Sequence, residues 1–327
     1  MKYLRYGLHV GISLLILAFL FTRVPFKRIA FIIGHSRLYL FFLSFLIGIL
    51  SIYINALRWR ILLKCLGYKY DLKLVLKVTF MGLFFNIYLP GGVIGDVTRI
   101  AVLPGSGDPE EVRKDHLTKV TASVVTDKFA GLAGLMLLAF TGFLFVYKFL
   151  LNSGILIVFG SVAFAVSIIF FTLFSRRTQR FIKKIFAFPL KILSPVKAVL
   201  KEVTEVLFVY RDNYSVFNKV IPLSVFGHLC VVCYFFLLAR SIDVNISFLM
   251  LLAFVPVIEF VSTLPISVGG AGVREVATIL LFSSAGIPAV KSMSVSLLSF
   301  VIVLLLGAIG GFFYLCRQTG SNRTIQC

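Results

Sequence analysis

The feature that most constrains this chain is a set of long stretches without a charged residue. A helix needs roughly 20 apolar residues to cross a bilayer. Backbone amides and carbonyls cannot stay unpaired in lipid, so such stretches must be helical. The sequence therefore predicts an all-α integral membrane protein with six full spans: Tyr6–Thr22, Leu38–Leu57, Phe129–Tyr147, Phe149–Ser175, Val220–Ala239 and Ser292–Cys316.

The composition points the same way and narrows the choice of partner. Hydrophobic residues make up 59% of the 327 residues, against about 45–50% in soluble domains. The formal net charge is +20, but the basic residues lie in loops between the predicted spans. We therefore expect membrane lipids with anionic headgroups as partners, such as anionic phospholipids or polyprenyl phosphates, and not nucleic acid.

Loop charges predict the orientation and the domain organisation. Residues 176–219 hold ten basic and three acidic residues, and residues 58–77 hold six basic residues and one Asp. Because basic loops favour the cytoplasm, we expect both loops and both termini to be cytoplasmic. Residues 1–327 then form one multi-pass transmembrane domain in the cell membrane.

Two further apolar segments, Val78–Val102 and Val244–Ile287, are interrupted by proline and glycine. Leu89-Pro90 and Leu264-Pro265 lie 175 residues apart, and Arg99 and Arg274 follow at the same offset. This spacing predicts two halves, residues 5–150 and 151–316, each with three crossings and one broken, re-entrant segment. Since three crossings are an odd number, the halves would form an inverted repeat, as in many transporters. Two unrelated kinks are the alternative.

The breaks matter because they create helix N-termini at membrane depth. Pro90 and Pro265 end a helix, and the glycines that follow permit unusual backbone conformations. Free amides and positive helix N-termini can then face an anion. We expect these amides, together with two arginines, to bind a lipid phosphate. The predicted phosphate-binding residues are Arg99, Arg274, Gly91, Gly92, Gly95, Gly269, Gly270 and Gly272.

Ionisable residues inside a membrane are costly and are usually functional or paired. We therefore interpret the four acidic residues in or near the apolar segments as sites of proton coupling or ion pairing: Asp96, Asp127, Glu259 and Glu275. Asp96 and Arg99 share a helix face, so a local salt bridge is the alternative to phosphate binding. A pair between the halves, Asp96 with Arg274 or Glu275 with Arg99, is a further hypothesis.

Other motifs predict supporting roles. Arg58-Trp59-Arg60 resembles an interfacial anchor, with the aromatic ring at headgroup depth. Asp127-Lys128 is either functional or only an interfacial pair. The P-loop pattern and the common metal-binding and catalytic motifs are absent from the sequence. We therefore expect no cofactor, no metal ion and no enzymatic activity.

Four motifs occur together along the chain. They are Asn55-Ala56-Leu57-Arg58-Trp59-Arg60, Phe85-Asn86-Ile87-Tyr88-Leu89-Pro90 with Gly95-Asp96 and Arg99, Asp127-Lys128, and Pro265-x-Ser267-x-Gly269-Gly270-x-Gly272-x-Arg274-Glu275. By these motifs and their order the chain resembles the transmembrane region of lysylphosphatidylglycerol synthetases, also called the flippase-like domain family, over about residues 5–316. The fourth motif is the most specific.

The resemblance implies a lipid translocase fold in a prokaryotic cytoplasmic membrane. In the best-known members this region moves aminoacylated phosphatidylglycerol between leaflets, and a soluble aminoacyltransferase domain follows it. This chain ends at Cys327, so synthetase activity is not implied. Lys128 stands where many relatives have arginine, which keeps the charge but loses bidentate phosphate geometry.

We therefore expect a lipid flippase, or a translocase of a lipid-linked substrate, that moves an anionic or phosphate-containing lipid. Two alternatives belong to other classes. One is an intramembrane lipid-modifying enzyme, which would need a nucleophile or a metal cluster. The other is a non-transporting membrane partner in lipid or polysaccharide assembly.

Overall fold

The computed structural model describes residues 26–89, 94–103, 110–150, 210, 213–264 and 268–323. Within these ranges the chain is helical and contains no strand. Short 3-10 turns at Tyr214–Val216 and Val268–Gly270 accompany the α-helices. In chain order the helices are α1 (Phe26–Gly34), α2 (Leu38–Cys65), α3 (Leu72–Tyr88), α4 (Ile94–Val102), α5 (Glu110–Leu150), α6 (Phe217–Ser241), α7 (Phe248–Thr263), α8 (Val273–Ser284) and α9 (Ala289–Arg323).

Four helices of the described part are long and apolar enough to cross a membrane, so the chain is a multi-pass membrane protein. They correspond to four of the six predicted spans, and their apolar portions are Leu38–Cys65, Val112–Val146, Phe217–Ser241 and Ala289–Arg317. The third predicted span begins earlier than expected, because α5 continues without a break through the polar residues before Phe129. The predicted span Tyr6–Thr22 lies outside the described residues. The same is true of the predicted span Phe149–Ser175 after Leu150 and of most of the loop 176–219.

Helices α2 and α6 pack antiparallel along their whole length through small residues. Ser51 Oγ donates to the Gly227 carbonyl at 3.1 Å. Toward the other end of the pair, the Arg37 amide donates to the Ser241 carbonyl at 2.9 Å. Small side chains let helix backbones approach closely, which is how helices associate where lipid supplies no hydrophobic driving force.

Each interrupted segment forms a helical hairpin. Helix α4 returns along α3 so closely that a Cβ on Gly95 would overlap the Gly82 carbonyl oxygen. Helices α7 and α8 form the second hairpin, in which the Phe254 and Phe282 rings lie 6.5 Å apart. Both interrupted segments therefore contain two helices that double back, with Tyr88 and Thr263 ending the first helix of each. Pro90, Gly91, Gly92 and Pro265 lie outside the described residues.

Each hairpin also packs against a long helix that is distant from it in sequence. Helix α3 crosses α9 at Gly310, where a Cβ would overlap the Phe80 carbonyl. Helix α7 crosses α5 at Gly142, where a Cβ would meet the Ala253 amide. Each hairpin is thus held against the last long helix of the other half of the chain.

Candidate functional site

A buried carboxylate, Asp127 on α5, holds two arginines at the first hairpin. Arg58 Nε on α2 donates to Asp127 Oδ1 at 2.7 Å. Arg99 Nη2 on α4 donates to Asp127 Oδ2 at 3.0 Å. Arg58 Nη1 also donates to Ser224 Oγ on α6 at 3.1 Å. The buried Asp127 carboxylate therefore links α5 to α2 and α4, and Arg58 extends the link to α6.

Trp59 completes this cluster from the inside of the protein. The Arg99 guanidinium lies 3.9 Å from the centre of the Trp59 ring, a cation–π contact. Trp59 Nε1 donates to Ser123 Oγ at 3.0 Å. Trp59 is fully buried and Arg58 is nearly so, so neither faces lipid headgroups as the predicted anchor requires. Of the predicted anchor, only Arg60 is exposed.

Asp96 on α4 joins the cluster through a third cation. Lys128 Nζ lies 2.5 Å from Asp96 Oδ2, and Arg99 Nη1 lies 3.9 Å from Asp96 Oδ1. Asp96 is buried, whereas the Lys128 side chain is 49% exposed. The local pair between Asp96 and Arg99 therefore exists, but it is long, and Lys128 is the closer cation. Three cations and two carboxylates leave one excess positive charge.

The second hairpin contains a carboxylate that caps its own helix. The Gly272 amide donates to Glu275 Oε2 at 2.5 Å at the N-terminus of α8. Ser296 Oγ on α9 donates to Glu275 Oε1 at 3.1 Å. A carboxylate in the first turn satisfies a free amide and interacts favourably with the helix dipole. Glu275, which is 1% exposed, thus occupies a position where the sequence predicted a lipid phosphate.

Arg274, beside it, keeps unused hydrogen-bonding capacity. Its Nε contacts Glu275 Oε1 at 3.4 Å, and its guanidinium lies 4.6 Å from the centre of the Phe300 ring. Arg274 is 3% exposed, yet its Nη2 has no hydrogen-bond partner among the described residues. An unpaired buried donor costs about 1–3 kcal/mol, so an acceptor that reached this nitrogen would bind favourably.

Glu259 on α7 is partly exposed and interacts electrostatically with Arg274. Tyr234 on α6 also interacts electrostatically with Glu259 and Arg274. The structure thus brings Glu259, Arg274 and Glu275 together at one hairpin. Ser296 and Phe300, which complete this group from α9, carry no sequence signal that separates them from other residues of an apolar helix.

The two hairpins meet at their tips. Gly269 has a φ of 57°, and a Cβ there would lie 3.1 Å from the Ile87 carbonyl, just before the end of α3. Gly270 and Gly272 also have positive φ values, of 77° and 87°. Residues with a side chain rarely adopt such φ angles, so these glycines allow the backbone turn that leads into α8.

Several predicted pairings are corrected by these contacts. Asp96 does not pair with Arg274, nor Glu275 with Arg99, among the ion pairs of the described residues. Helix α5 supplies the closest partners of Asp96 and Arg99, and Arg274 contacts Glu275 on its own helix. The amides of Gly95 and Gly272 are also not free for a phosphate. Asn86 Oδ1 accepts from the Gly95 amide at 2.8 Å, and Glu275 accepts from Gly272. Backbone packing, and not anion binding, explains the glycine at position 95.

No group of three or more His, Cys, Asp or Glu that could hold a metal ion occurs in the part of the chain that the structure describes. Comparison with protein families gives one match, to the family described as the lysylphosphatidylglycerol synthase TM region, over residues 7–311. A comparison with curated proteins finds no match.

Proposed function

Because the chain belongs to the lysylphosphatidylglycerol synthase transmembrane region family, a membrane domain associated with lipids, we propose that it moves an anionic lipid between the leaflets. The observation that carries this proposal is the buried Nη2 of Arg274 at the tip of a broken helix, which has no hydrogen-bond partner among the described residues. A lipid phosphate supplies the anionic acceptor that this nitrogen lacks. The acyl chains would stay in the surrounding lipid.

The packing of the hairpins supports an inverted repeat with two re-entrant segments. In an inverted repeat each element has a counterpart in the other half. The contact of α3 with α9 then corresponds to that of α7 with α5, and α2 pairs antiparallel with its own counterpart α6. The hairpins would enter from opposite leaflets and meet where Gly269 contacts Ile87. Secondary transporters bind their substrates at such junctions of broken helices.

The two arginines contribute differently to this proposal. Two nitrogens of Arg99 face carboxylates, Asp127 at 3.0 Å and Asp96 at 3.9 Å. Arg99 therefore attracts the phosphate at longer range, through the one net positive charge of the cluster at the first hairpin. Arg274 makes the direct contact. Glu259 is the better proton carrier, because it is partly exposed and near Arg274, whereas Asp127 is fully engaged by two arginines.

Reconstitution tests the proposal directly. Purified protein is placed in phosphatidylcholine vesicles that carry a fluorescent phosphatidylglycerol, and dithionite reports how fast the inner-leaflet label becomes accessible. Arg274→Gln should slow exchange about 10- to 100-fold, because a hydrogen bond to a charged group contributes about 1.5–3 kcal/mol. Arg37→Gln is the matched control, since Arg37 is half exposed and pairs with Asp243 far from the tips.

The same vesicles separate the alternatives. Unchanged exchange by a folded Arg274→Gln protein removes Arg274 from the path. Chemical conversion of the labelled lipid, detected by mass spectrometry, identifies a lipid-modifying enzyme instead. Exchange equal to that of empty vesicles, with the lipid intact, favours a non-transporting partner.

A further inference from the structure

A surface groove at the end of α2 lies apart from the hairpin tips. It has a volume of about 480 Å³ and is lined by Leu57, Arg60, Ile61, Lys64, Tyr68, Lys69 and Tyr70. Three of these residues are basic, two are tyrosines and two are aliphatic. No acidic side chain is among them. This part of the chain is the basic segment that the sequence places at the cytoplasmic side.

The groove has a built wall and is not a loose surface depression. Helix α2 ends in a turn in which the Tyr68 amide donates to the Leu63 carbonyl at 3.1 Å. Gly67, with a φ of 90°, provides the left-handed residue that this type of helix end requires. The chain therefore turns back, and Arg60 Nε donates to the Tyr70 carbonyl at 3.0 Å.

The tyrosines are fixed from behind by α5. The Tyr68 and Tyr70 rings stack 5.6 Å apart, and the Tyr70 hydroxyl lies 2.7 Å from His116 Nε2. Burial raises the pKa of both phenols above the usual value, and Asp115 raises that of Tyr68 further. Both tyrosines therefore stay neutral at physiological pH and add no negative charge to the groove.

The chemistry of the groove is divided along α2. Leu57 and Ile61 are partly buried apolar residues one helical turn apart, and Arg60 and Lys64 are exposed cations with the same spacing. Lys69 adds an exposed cation from the loop. An apolar surface beside several cations and tyrosines matches a phospholipid at the membrane boundary, since cations bind the headgroup and aromatic residues favour this depth.

We propose that this groove binds an anionic phospholipid of the bulk membrane, with its phosphate at Arg60, Lys64 and Lys69 and an acyl chain along Leu57 and Ile61. The bound lipid is a resident partner and not the transported one, because the groove is built on α2 and its following loop and contains no residue of either hairpin. The proposal therefore does not depend on the transport function.

A second groove, of about 340 Å³, is less suited to this role. It is lined by residues of α3 and α9 together with Val102 and contains two cations, Lys77 and Arg317. In each groove one arginine donates to a backbone carbonyl, Arg317 Nη1 to Val102 at 2.6 Å and Arg60 Nε to Tyr70 at 3.0 Å. One further cation, Lys77, then remains in this groove, against two in the groove of α2. Charge complementarity is therefore stronger at the groove of α2.

Native mass spectrometry of delipidated protein tests the site. Protein is titrated with phosphatidylglycerol, with phosphatidylcholine, and with inorganic phosphate, and bound lipids are counted. The test variant is Arg60→Gln/Lys64→Gln/Lys69→Gln. The control variant, Lys73→Gln/Arg113→Gln/Lys219→Gln, removes the same charge from exposed residues that do not line the groove.

We expect wild type and the control variant to retain a phosphatidylglycerol molecule at least about 10-fold more tightly than phosphatidylcholine, because the three cations attract an anionic headgroup more strongly than a zwitterionic one. The test variant should bind one phosphatidylglycerol fewer than the control variant at the same lipid concentration, while keeping its thermal unfolding midpoint in detergent. Equal retention of phosphatidylglycerol by the two variants would overturn the proposal. Inorganic phosphate that displaces the lipid at comparable concentration would overturn it too, because the groove would then serve a soluble anion.

Discussion

The two hairpins use similar residues in opposite ways. At the first, Arg58 and Arg99 each donate to a different oxygen of Asp127, which comes from a neighbouring long helix. At the second, Glu275 lies on the same helix as its arginine, and its closest contact is the Gly272 amide. The first carboxylate joins separate elements, whereas the second mainly completes its own helix.

The difference shows which arginine is available. A carboxylate shared by two arginines in good geometry satisfies buried charge and ties helices together, so removing it leaves uncompensated cations. Both arginines keep one buried nitrogen without a hydrogen-bond partner among the described residues, Nε of Arg99 and Nη2 of Arg274. They differ in their ion pairs, because Arg99 lies 3.0 Å from Asp127 whereas Arg274 has only a long contact to Glu275, at 3.4 Å. We infer that the first hairpin is a fixed support and that the second is the one that can exchange its partner for a lipid phosphate.

Asp127→Asn should have the largest effect and tests the supporting role of the first hairpin. The substitution leaves the buried Arg58 without its ion-pair partner and Arg99 with only the 3.9 Å contact to Asp96, which should cost about 3–5 kcal/mol of the free energy of unfolding. Thermal unfolding in detergent measures the loss. Asp115→Asn is the control, because its pair with Lys119 is exposed and should contribute at most about 1 kcal/mol. Similar stability of the two variants would contradict a supporting role.

Gly95→Ala should have the next largest effect on stability, and Gly269→Ala is the variant to compare with it. A Cβ at position 95 would overlap backbone at Gly82 and the Asn86 side chain, so α4 would have to move away from α3. At position 269 the nearest atom is the Ile87 carbonyl at 3.1 Å, and the main cost is the positive φ. We expect about 2–4 kcal/mol of destabilisation at position 95 and about 1–2 kcal/mol at position 269.

Gly34→Ala is the control for both, because nothing lies within 4 Å of a Cβ there. Denaturation curves of the three variants should keep the order Gly95, Gly269, Gly34 from most to least destabilised. A larger loss at position 269 than at position 95 would mean that the second hairpin is the more rigid one, which would reverse the comparison.

The helices of this fold could be read from the sequence because lipid leaves few choices for an apolar segment. The four spans in the described part were predicted from the length of their charge-free segments alone. Pro90 and Pro265 correctly marked the ends of α3 and α7, which end at Tyr88 and Thr263. The start of α5 was missed because its first turns are polar and look like a loop.

The site was harder to predict, because its pairings join residues that are distant in sequence. Arg58 and Asp127 are 69 positions apart, and nothing local shows that the Arg58-Trp59 pair faces inward and not the membrane boundary. The cross-hairpin pairs were wrong for a physical reason: Lys128 and Asp127 lie next to each other on α5 and pair with both charges of α4. Ionisable residues could be found from composition, but their partners required the packing.

Glu275→Gln should have a smaller effect on stability than Asp127→Asn or Gly95→Ala, and it tests the exchange directly. Glutamine keeps an oxygen for the Gly272 amide, so α8 keeps its cap and loses only the charge, at about 1–2 kcal/mol. If Glu275 and a lipid phosphate compete for Arg274, the neutral side chain should raise the affinity for phosphatidylglycerol several-fold in the mass-spectrometric titration. The combination with Arg274→Gln should abolish that gain. An affinity that falls, or a stability loss as large as that of Asp127→Asn, would show that Glu275 holds Arg274 as firmly as Asp127 holds Arg58, and the two hairpins would then be alike.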